Sequence, residues 1–266
     1  MRVERRPPES EGSEAVVVLG PAPALTCKPK PRYRWRDALG HPYSASFRQN
    51  FSYERARVEL RYERRAPLFR GRLVARGLKP NFAYQIKLVG MPRSLWGEDA
   101  EPQSNRRIGE IGRWWIPGND ARNAYFVEDL DRDQMEGYLV FDYFVTDADG
   151  NAEKTFEARN SLHVLWRTDQ WPPGERDTEP TRHKIVATAD NPAYDQTFPE
   201  GVLEIYAEAE SGRPPLGKAL LPPGDYRCFF LLTEESFHDY FNEDGGEWAA
   251  ALAARVEFTI TPPRHP

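Results

Sequence analysis

The sequence predicts an all-β protein: an antiparallel β-sandwich with a second, smaller β-rich domain. Composition gives the first reason, because 7 Trp, 12 Tyr and 14 Phe stand in a chain whose hydrophobic content is only 39%. The 24 Pro and 19 Gly indicate frequent turns. Between these turns lie short segments in which apolar and polar residues alternate. Large aromatic side chains on short strands can fill a core, and this pattern argues against a helical bundle or a doubly wound α/β sheet.

The first part of the chain holds enough predicted strands for one sandwich. Residues 1–40 are rich in Pro and Arg and are predicted to be an extended N-terminal segment, in which 15–19 could pair as an edge strand. The sandwich domain is predicted over 41–170. Its strands are expected at 57–62, 70–76, 82–89, 111–116, 137–146, 154–158 and 162–167. The strand at 137–146 is apolar on both faces and is therefore predicted to be central.

A Pro-rich linker at 171–180 is predicted to precede the second β-rich domain at 181–262. Strands are expected there at 184–189, 202–209, 226–233 and 255–261. Thr233 followed by two glutamates predicts the start of a short helix, with Thr233 as its N-cap and acidic residues in the first turn. For 247–254 the pattern leaves a helical turn and a strand open.

One segment carries a family resemblance. Leu78, Pro80 and Tyr84 have the spacing Leu-x-Pro-x-x-x-Tyr at the entry to an alternating strand. This resembles the tyrosine corner of immunoglobulin-like and fibronectin type III sandwiches, in which the Tyr hydroxyl bonds to upstream backbone. Tyr226 follows Leu221 and Pro222 in a similar arrangement. The spacing of Leu78, Pro80 and Tyr84 is also similar to the corner of CHRD-type, superoxide-dismutase-like sandwiches. The copper ligands of superoxide dismutase are not recognisable in this sequence.

The resemblance implies an immunoglobulin-like fold and an uncharacterised family of surface proteins, but no activity. It further implies that Tyr84 is buried, with its hydroxyl bonded to backbone near residues 77–80. An envelope or extracellular location follows from the same analogy. The sequence shows no run of about 18 apolar residues that would span a membrane, and no signal peptide is visible.

A metal site is considered at Asp147, Asp149 and Asn151, which resemble the start of a calcium loop. Ala152 stands where the sharp-turn glycine should be, and Ala158 stands where the bidentate glutamate should be. The segment is therefore interpreted as a metal-free hairpin turn with Gly150 at positive φ. The acidic run at 128–136 is interpreted as a solvated loop. No cofactor is predicted.

The sequence contains no recognisable catalytic signature. Phosphate-binding loops, nucleophile elbows and zinc-binding His or Cys spacings are absent from it. Cys27 and Cys228 either form one long-range disulfide or remain two separate thiols. No catalytic residue is therefore predicted, and the leading hypothesis is a non-enzymatic protein.

The binding residues predicted are Trp96, Trp114 and Trp115. Adjacent residues of a strand point to opposite faces, so one of Trp114 and Trp115 should lie outside the sandwich core and face solvent, the second domain or a partner. An exposed Trp favours contact with a protein or glycan partner. The expected role is binding, structure or assembly. The alternatives are a carbohydrate-binding module or glycan-active protein, and a metal-dependent or hydrolytic enzyme on a sandwich scaffold.

Charge is unevenly distributed along the chain. Residues 1–76 hold 17 Lys and Arg against 8 Asp and Glu, and the remaining residues hold 19 against 33. Such asymmetry is typical either of an anionic partner or of two oppositely charged regions that face each other or sit in solvent. The second interpretation is favoured, and a nucleic acid partner is judged unlikely. The oligomeric state stays open.

Overall fold

The structure, a computed structural model, describes residues 13–22, 34–115, 134–166, 179–209, 220–235 and 248–262. These residues are mostly antiparallel β-structure, which confirms the all-β class. The strands are β1 (Glu14–Pro21), β2 (Arg57–Glu63), β3 (Arg65–Ala66), β4 (Arg70–Arg76), β5 (Ala83–Val89), β6 (Arg113–Trp115), β7 (Glu136–Val145), β8 (Ala152–Glu157), β9 (Leu162–Trp166), β10 (Thr181–Ile185), β11 (Gly201–Ala209), β12 (Gly224–Glu235) and β13 (Trp248–Ile260). The helices are α1 (Ala45–Asn50), α2 (Arg93–Trp96) and α3 (Pro102–Ile111), with 3-10 turns at Tyr53–Arg55 and Gly97–Asp99.

Ten strands form one large curled sheet in the order β6-β7-β5-β12-β13-β1-β2-β4-β8, with β3 beside β13. The sheet divides at β1, where residues 14–19 pair with β2 and Gly20 and Pro21 pair with β13. We name β8, β4, β2 and the first part of β1 layer A, and β6, β7, β5, β12 and β13 layer B. The two layers face each other as a sandwich.

Aromatic side chains fill the space between the layers. Phe156 of layer A lies with its ring centroid 5.6 Å from that of Phe141 and 5.6 Å from that of Phe230, both in layer B. Leu60 and Leu73, from the centre of layer A, are completely buried in the same cluster. Full burial of one such side chain contributes roughly 1.5–3 kcal/mol. The core predicted from the aromatic content therefore lies between these two layers.

A third layer covers the outer face of layer B. The small sheet, in the order β10-β11-β9, contributes Val164, Ile185 and Ile205 to a cluster with Val140 and Leu231 of layer B. Strands β5 and β12 are consequently buried on both faces. Central strands of this kind read as continuous apolar runs rather than alternating ones.

The predicted division at 171–180 does not separate two sheets. Strand β12 pairs with β5, and β9 pairs with β11, so each sheet contains strands from both sides of the proposed linker. The physical reason is the apolar outer face of layer B, which is covered only when β9, β10 and β11 combine. Residues 171–178 of the linker lie outside the described residues.

The N-terminal prediction needs a similar correction. Residues 14–21 form a strand with a partner on each side, rather than part of an extended lead-in or an edge. Ala15 and Leu19 point into the core and are buried, which explains the pairing. Residues 1–12 and 23–33, including Cys27, lie outside the described residues.

The turn between β7 and β8 is not a hairpin, although Gly150 has the predicted positive φ, at 73°. β7 pairs with β5 and β6, whereas β8 pairs with β4, so the turn carries the chain from layer B to layer A. A Cβ at Gly150 would lie 2.0 Å from the Leu78 carbonyl oxygen, and the Leu78 amide donates to the Gly150 carbonyl at 3.0 Å. The turn is therefore fitted against the loop before β5.

The short helix predicted from Thr233 is wrong, because β12 continues as a strand to Glu235. Glu234 pairs with Tyr84 of β5, and Glu235 pairs with Trp248 of β13. Both neighbouring strands thus satisfy backbone groups that a helix would have bonded internally. Strand β13 begins at Trp248, which decides between the two alternatives left open for 247–254 in favour of a strand.

The hydrogen bond predicted for Tyr84 is present. Its ring is completely buried, and its hydroxyl accepts from the Lys79 amide at 3.2 Å. The Tyr226 hydroxyl likewise donates to the Pro222 carbonyl at 2.7 Å. A bond of this kind does not identify a family, so the immunoglobulin-like relationship stays a prediction.

Replacing Tyr84 by Phe should lower the free energy of unfolding by about 1 to 3 kcal/mol, because the buried Lys79 amide would lose its acceptor. Chemical denaturation of the purified chain measures this. Tyr226→Phe is the matched variant and should cost about 1 kcal/mol, since it removes one ordinary hydrogen bond. A smaller loss for Tyr84→Phe than for Tyr226→Phe would contradict this account of the turn.

Candidate functional site

The two adjacent tryptophans predicted for binding are both buried. Trp114 is 4% exposed and Trp115 is 7% exposed, so the expectation that one of them faces solvent is wrong. Trp114 packs against α3, where a Cβ on Gly109 would lie 2.5 Å from the indole ring. Trp115 points to the other face and joins the cluster between layer B and the small sheet. Trp96 is half-buried, with its ring centroid 4.7 Å from that of Phe229.

Helix α3 is the element that the sequence analysis missed at this position. It lies against β7 through Asn105, whose side chain accepts from the Gly137 amide at 2.7 Å and donates to the Met135 carbonyl at 2.8 Å. The available signals were Pro102 at the first helical position and the spacing of Ser104 and Ile108, both buried. Few apolar residues accompany them, so the helical period was weak.

The residues considered for calcium have structural roles. The Asp147 carboxylate accepts from the amides of Asp149 and Asn151 at 2.9 and 2.8 Å. Its backbone carbonyl accepts from the Asn81 amide at 2.9 Å. In the described ranges, no three His, Cys, Asp or Glu side chains are grouped as a metal would require. Most of the acidic run at 128–136 lies outside those ranges.

A buried ion pair joins the end of β12 to the loop before β5. Lys79 Nζ lies 2.8 Å from Glu234 Oε1, and both side chains are almost completely buried. The Tyr53 hydroxyl donates to the same carboxylate oxygen at 2.6 Å and lies 3.0 Å from the Tyr84 hydroxyl. Arg34 approaches the second carboxylate oxygen at 3.4 Å. The Tyr84 corner is therefore part of a larger polar network.

Aromatic rings surround the Lys79 ammonium. It lies 4.5 Å from the ring centroid of Phe82 and 4.8 Å from that of Trp35, within cation–π range. Burial lowers the Lys79 pKa to about 8, although the Glu234 carboxylate acts in the opposite direction. Burial also raises the pKa of the Tyr84 hydroxyl. The carboxylate and the rings together compensate a charge that the interior would otherwise disfavour.

The next residue of β12 makes a second buried ion pair on the opposite face. Glu235 Oε1 lies 3.4 Å from Lys87 Nζ and accepts from the Thr233 hydroxyl at 3.2 Å. Burial raises the Glu235 pKa to about 7, against the lowering effect of Lys87. Consecutive carboxylates on one strand therefore serve the two faces of layer B. The sequence signal for both ion pairs was the presence of two lysines among apolar residues: Lys79 in the loop before β5, and Lys87 within β5.

Another buried carboxylate organises the loop after residue 34. Asp37 is completely buried and accepts from the backbone amides of Leu39 and His41, both at 2.9 Å. Its other oxygen lies 3.0 Å from His41 Nδ1 and 3.0 Å from the Tyr194 hydroxyl. The His41 ring stacks on Phe198, with centroids 4.4 Å apart. All these contacts hold the loop against residues 194–198.

Glu136 is a buried carboxyl of a different kind. It lies at the start of β7 opposite Trp115, and its Oε2 has no hydrogen-bond partner among the residues that the structure describes. Burial alone raises its pKa to about 8. A carboxyl in this environment holds its proton at neutral pH, because ionisation would place an uncompensated charge among apolar side chains.

Among the described residues, no third layer covers the outer face of layer A, and we name this surface the open face. Val16 and Val18 lie on it and are 50% and 58% exposed. Across the strands, Val16 is opposite Arg61, and Val18 is opposite Glu59. The open face consists of Glu14, Val16, Val18, Arg57, Glu59, Arg61, Glu63, Arg70, Arg72, Val74, Arg76, Glu153, Thr155 and Glu157.

Replacing Glu234 by Gln should destabilise the protein by about 3 to 5 kcal/mol, because the Lys79 charge would remain buried without its counter-ion. Equilibrium denaturation at neutral pH measures the loss. Glu153→Gln breaks the exposed pair with Arg72, at 2.6 Å, and should cost no more than about 1 kcal/mol. Equal losses in the free energy of unfolding would show that breaking the buried pair costs no more than breaking the exposed one.

Replacing Glu136 by Gln should flatten the dependence of stability on pH. Its pKa rises from the usual 4.5 to about 8 in the folded chain. Between these values the folded protein keeps a proton that the unfolded chain has released, so the contribution of Glu136 to stability falls as pH rises, by at most about 1.4 kcal/mol per pH unit. Denaturation series over this window compare the wild type with Glu136→Gln, and the exposed Glu98→Gln is the control. Parallel profiles for the wild type and Glu136→Gln would contradict a neutral, buried carboxyl.

Comparisons with known proteins add no relative: no family model, no curated protein and no solved structure matches this chain. Among the helices of the described ranges, none is long and apolar enough for a bilayer crossing. The candidate surface is therefore assigned from the geometry and charge of this chain alone.

Proposed function

We propose that this chain is a non-enzymatic binding or assembly protein that contacts its partner through the open face. The observation that carries the proposal is a difference between the two outer faces of the sandwich: one is covered by a further sheet, and the other exposes apolar side chains. The outer face of layer B is apolar and covered by the small sheet, whereas layer A presents Val16 and Val18 to solvent. Exposed apolar side chains that cluster on one face of a protein mark a candidate contact surface.

The composition of the open face suits recognition. Val16 and Val18 lie on one side of a single strand, with Arg61 opposite Val16 and Arg72 opposite Arg61 on the next strand. Arginine is enriched where proteins bind partners, because its long apolar stem and planar guanidinium make both kinds of contact. A small apolar strip beside arginines therefore favours binding over plain solvation.

Ion pairs within and across the strands hold these side chains in place. Arg70 makes two bonds to Glu63, at 2.6 and 2.9 Å, and Arg61 lies 2.8 Å from Glu59. Exposed pairs of this kind contribute only about 0–1 kcal/mol to stability. Their clearer effect is to restrict the side chains, which lowers the entropy cost of binding.

The hydrolytic alternative has less support from the geometry. A cavity of about 110 Å³ is lined by Glu101, Asp99 and Glu257 among others. Arg227 binds Glu101 at 2.7 Å and Glu257 at 3.1 Å, and Arg255 lies 3.2 Å from Asp99. Carboxylates engaged in this way are not poised as an acid and base pair. The carbohydrate-binding alternative loses Trp114 and Trp115 as exposed rings for stacking on sugars, so a glycan partner would have to be bound by the open face instead.

Two assays test the proposal: binding of the purified chain to a panel of immobilised neutral and acidic glycans, and sedimentation velocity for self-association. We expect a saturable response in one of them, reduced at least about tenfold when Val16 and Val18 are both replaced by Lys, since each tenfold loss corresponds to about 1.4 kcal/mol of contact energy. Val202→Lys is the matched control, because Val202 is 57% exposed but lies on the small sheet.

Two results would remove the open face as the contact surface. One is an equal loss in the Val16→Lys/Val18→Lys and Val202→Lys variants. The other is the absence of any saturable response from the wild-type chain in either assay.

A further inference from the structure

The side chains of the open face form rows across the strands. One row contains Arg61 opposite Arg72, and another contains Arg57 opposite Arg76. The row between them holds Glu59 opposite Val74, with Glu153 on the far side of Val74. Successive rows are two residues apart, about 7 Å. The two basic rows therefore flank an acidic one.

The glutamates of the open face are all engaged with arginines other than Arg57 and Arg76. Glu59 and Glu14 lie 2.8 and 3.6 Å from Arg61. The remaining pairs are Glu63 with Arg70, Glu153 with Arg72, and Glu157 with Arg159. Among the described residues, the acidic side chains of this surface thus leave one basic row without an ion pair.

Arg57 and Arg76 form that row. Both are exposed, they are direct neighbours across β2 and β4, and neither makes an ion pair within the described ranges. Arg76 Nη1 donates to the Ala75 carbonyl at 3.0 Å. The Arg72 guanidinium, which is paired with Glu153, lowers the pKa of that carboxyl, and Arg76 adds a smaller lowering. Like charges directly opposite each other in a sheet are destabilising.

No described residue covers the position beside this row. Strand β1 accompanies β2 as far as Leu19 opposite Val58, and then leaves to pair with β13 from Gly20. A Cβ placed on Gly20 would have nothing within 4 Å. As far as the described residues go, an incoming group can therefore approach Arg57 and Arg76 without displacing another side chain.

We propose that Arg57 and Arg76 form a binding site for an oxyanion: a sulfate, phosphate or carboxylate group of the partner. This deepens the proposed function and rests on it for the identity of the surface. Each guanidinium presents a planar fork of donors that matches such groups in a bidentate manner. An oxyanion between the two arginines supplies the missing counter-charge and relieves their mutual repulsion.

The test is a titration of the full chain with sulfate, phosphate and acetate, followed by NMR of the arginine Nε–Hε signals. Sodium chloride keeps the ionic strength constant, because exposed charges are screened by salt. We expect saturable shifts of the Arg57 and Arg76 signals. The Arg57→Gln/Arg76→Gln variant should bind at least about tenfold more weakly, a loss of about 1.4 kcal/mol.

Arg182→Gln/Lys184→Gln is the matched control, since both cations are exposed and have glutamate partners but lie on the small sheet, away from the open face. It should keep the wild-type affinity. Tighter binding of sulfate or phosphate than of acetate would assign an ester group, and equal or tighter binding of acetate would assign a carboxylate. Two results would overturn the site. One is a set of chemical shifts that change linearly with anion concentration, as they do in chloride alone. The other is an equal loss of anion affinity in both double variants.

Failure of this site and failure of the proposed function are distinguishable. Sulfate binding that requires Arg57 and Arg76, in a chain with no glycan binding or self-association, would leave the site standing and remove the proposed partner contact. A partner contact that depends on Val16 and Val18, without anion binding at Arg57 and Arg76, would do the reverse. Unchanged thermal unfolding of the variants confirms that each is folded.

Discussion

The burial of layer B on both faces is the constraint on which the rest of the structure depends. In strands with two buried faces a charge needs a partner, and a carboxyl without one keeps its proton, as Glu136 does, since desolvation of an isolated charge is costly. Lys87 and Glu235 meet this requirement on one face, and Lys79 and Glu234 meet it on the other. The small sheet meets a second requirement of the same layer. Without it, the aromatic and aliphatic side chains on the outer face of layer B would face water. Layer A has only one face to bury, so its other face is available for contacts.

Local patterns predicted much of this arrangement. The strands at 57–62, 70–76 and 82–89 follow from alternation, and the Tyr84 hydrogen bond follows from the turn that precedes it. Strand order did not follow, because pairing of β5 with β12 joins residues about 145 positions apart and no local period encodes it. The same gap explains the errors at Trp115 and Thr233. The small sheet covers Trp115, and Thr233 pairs with Gln85 of β5, so neither environment is visible in a short window of sequence. The cover of Trp114 is local, but α3 has too few apolar residues to show a helical period.

The uneven charge of the chain has a structural counterpart. Arg34, from the basic N-terminal part, approaches Glu234 from the acidic remainder, and Arg72 pairs with Glu153. These contacts agree with the interpretation that the two oppositely charged regions face each other. The candidate surface was less predictable than the fold. The apolar run at 15–19 was noted, but which of its valines would be exposed depends on the register with β2, which places Val17 inward and Val16 and Val18 outward.

The exchange of partners along β1 has a consequence for how the chain assembles. Layer A can pair β2, β4 and β8 from residues that are synthesised early, whereas layer B lacks the two strands that join β5 to β1 until β12 and β13 leave the ribosome. Until then β5 presents an unpaired edge, and the second half of β1 has no neighbour. Unpaired edges of growing sheets recruit other chains. The sandwich therefore closes late, and in the cell the interval before β13 arrives is when the nascent protein most needs protection from aggregation.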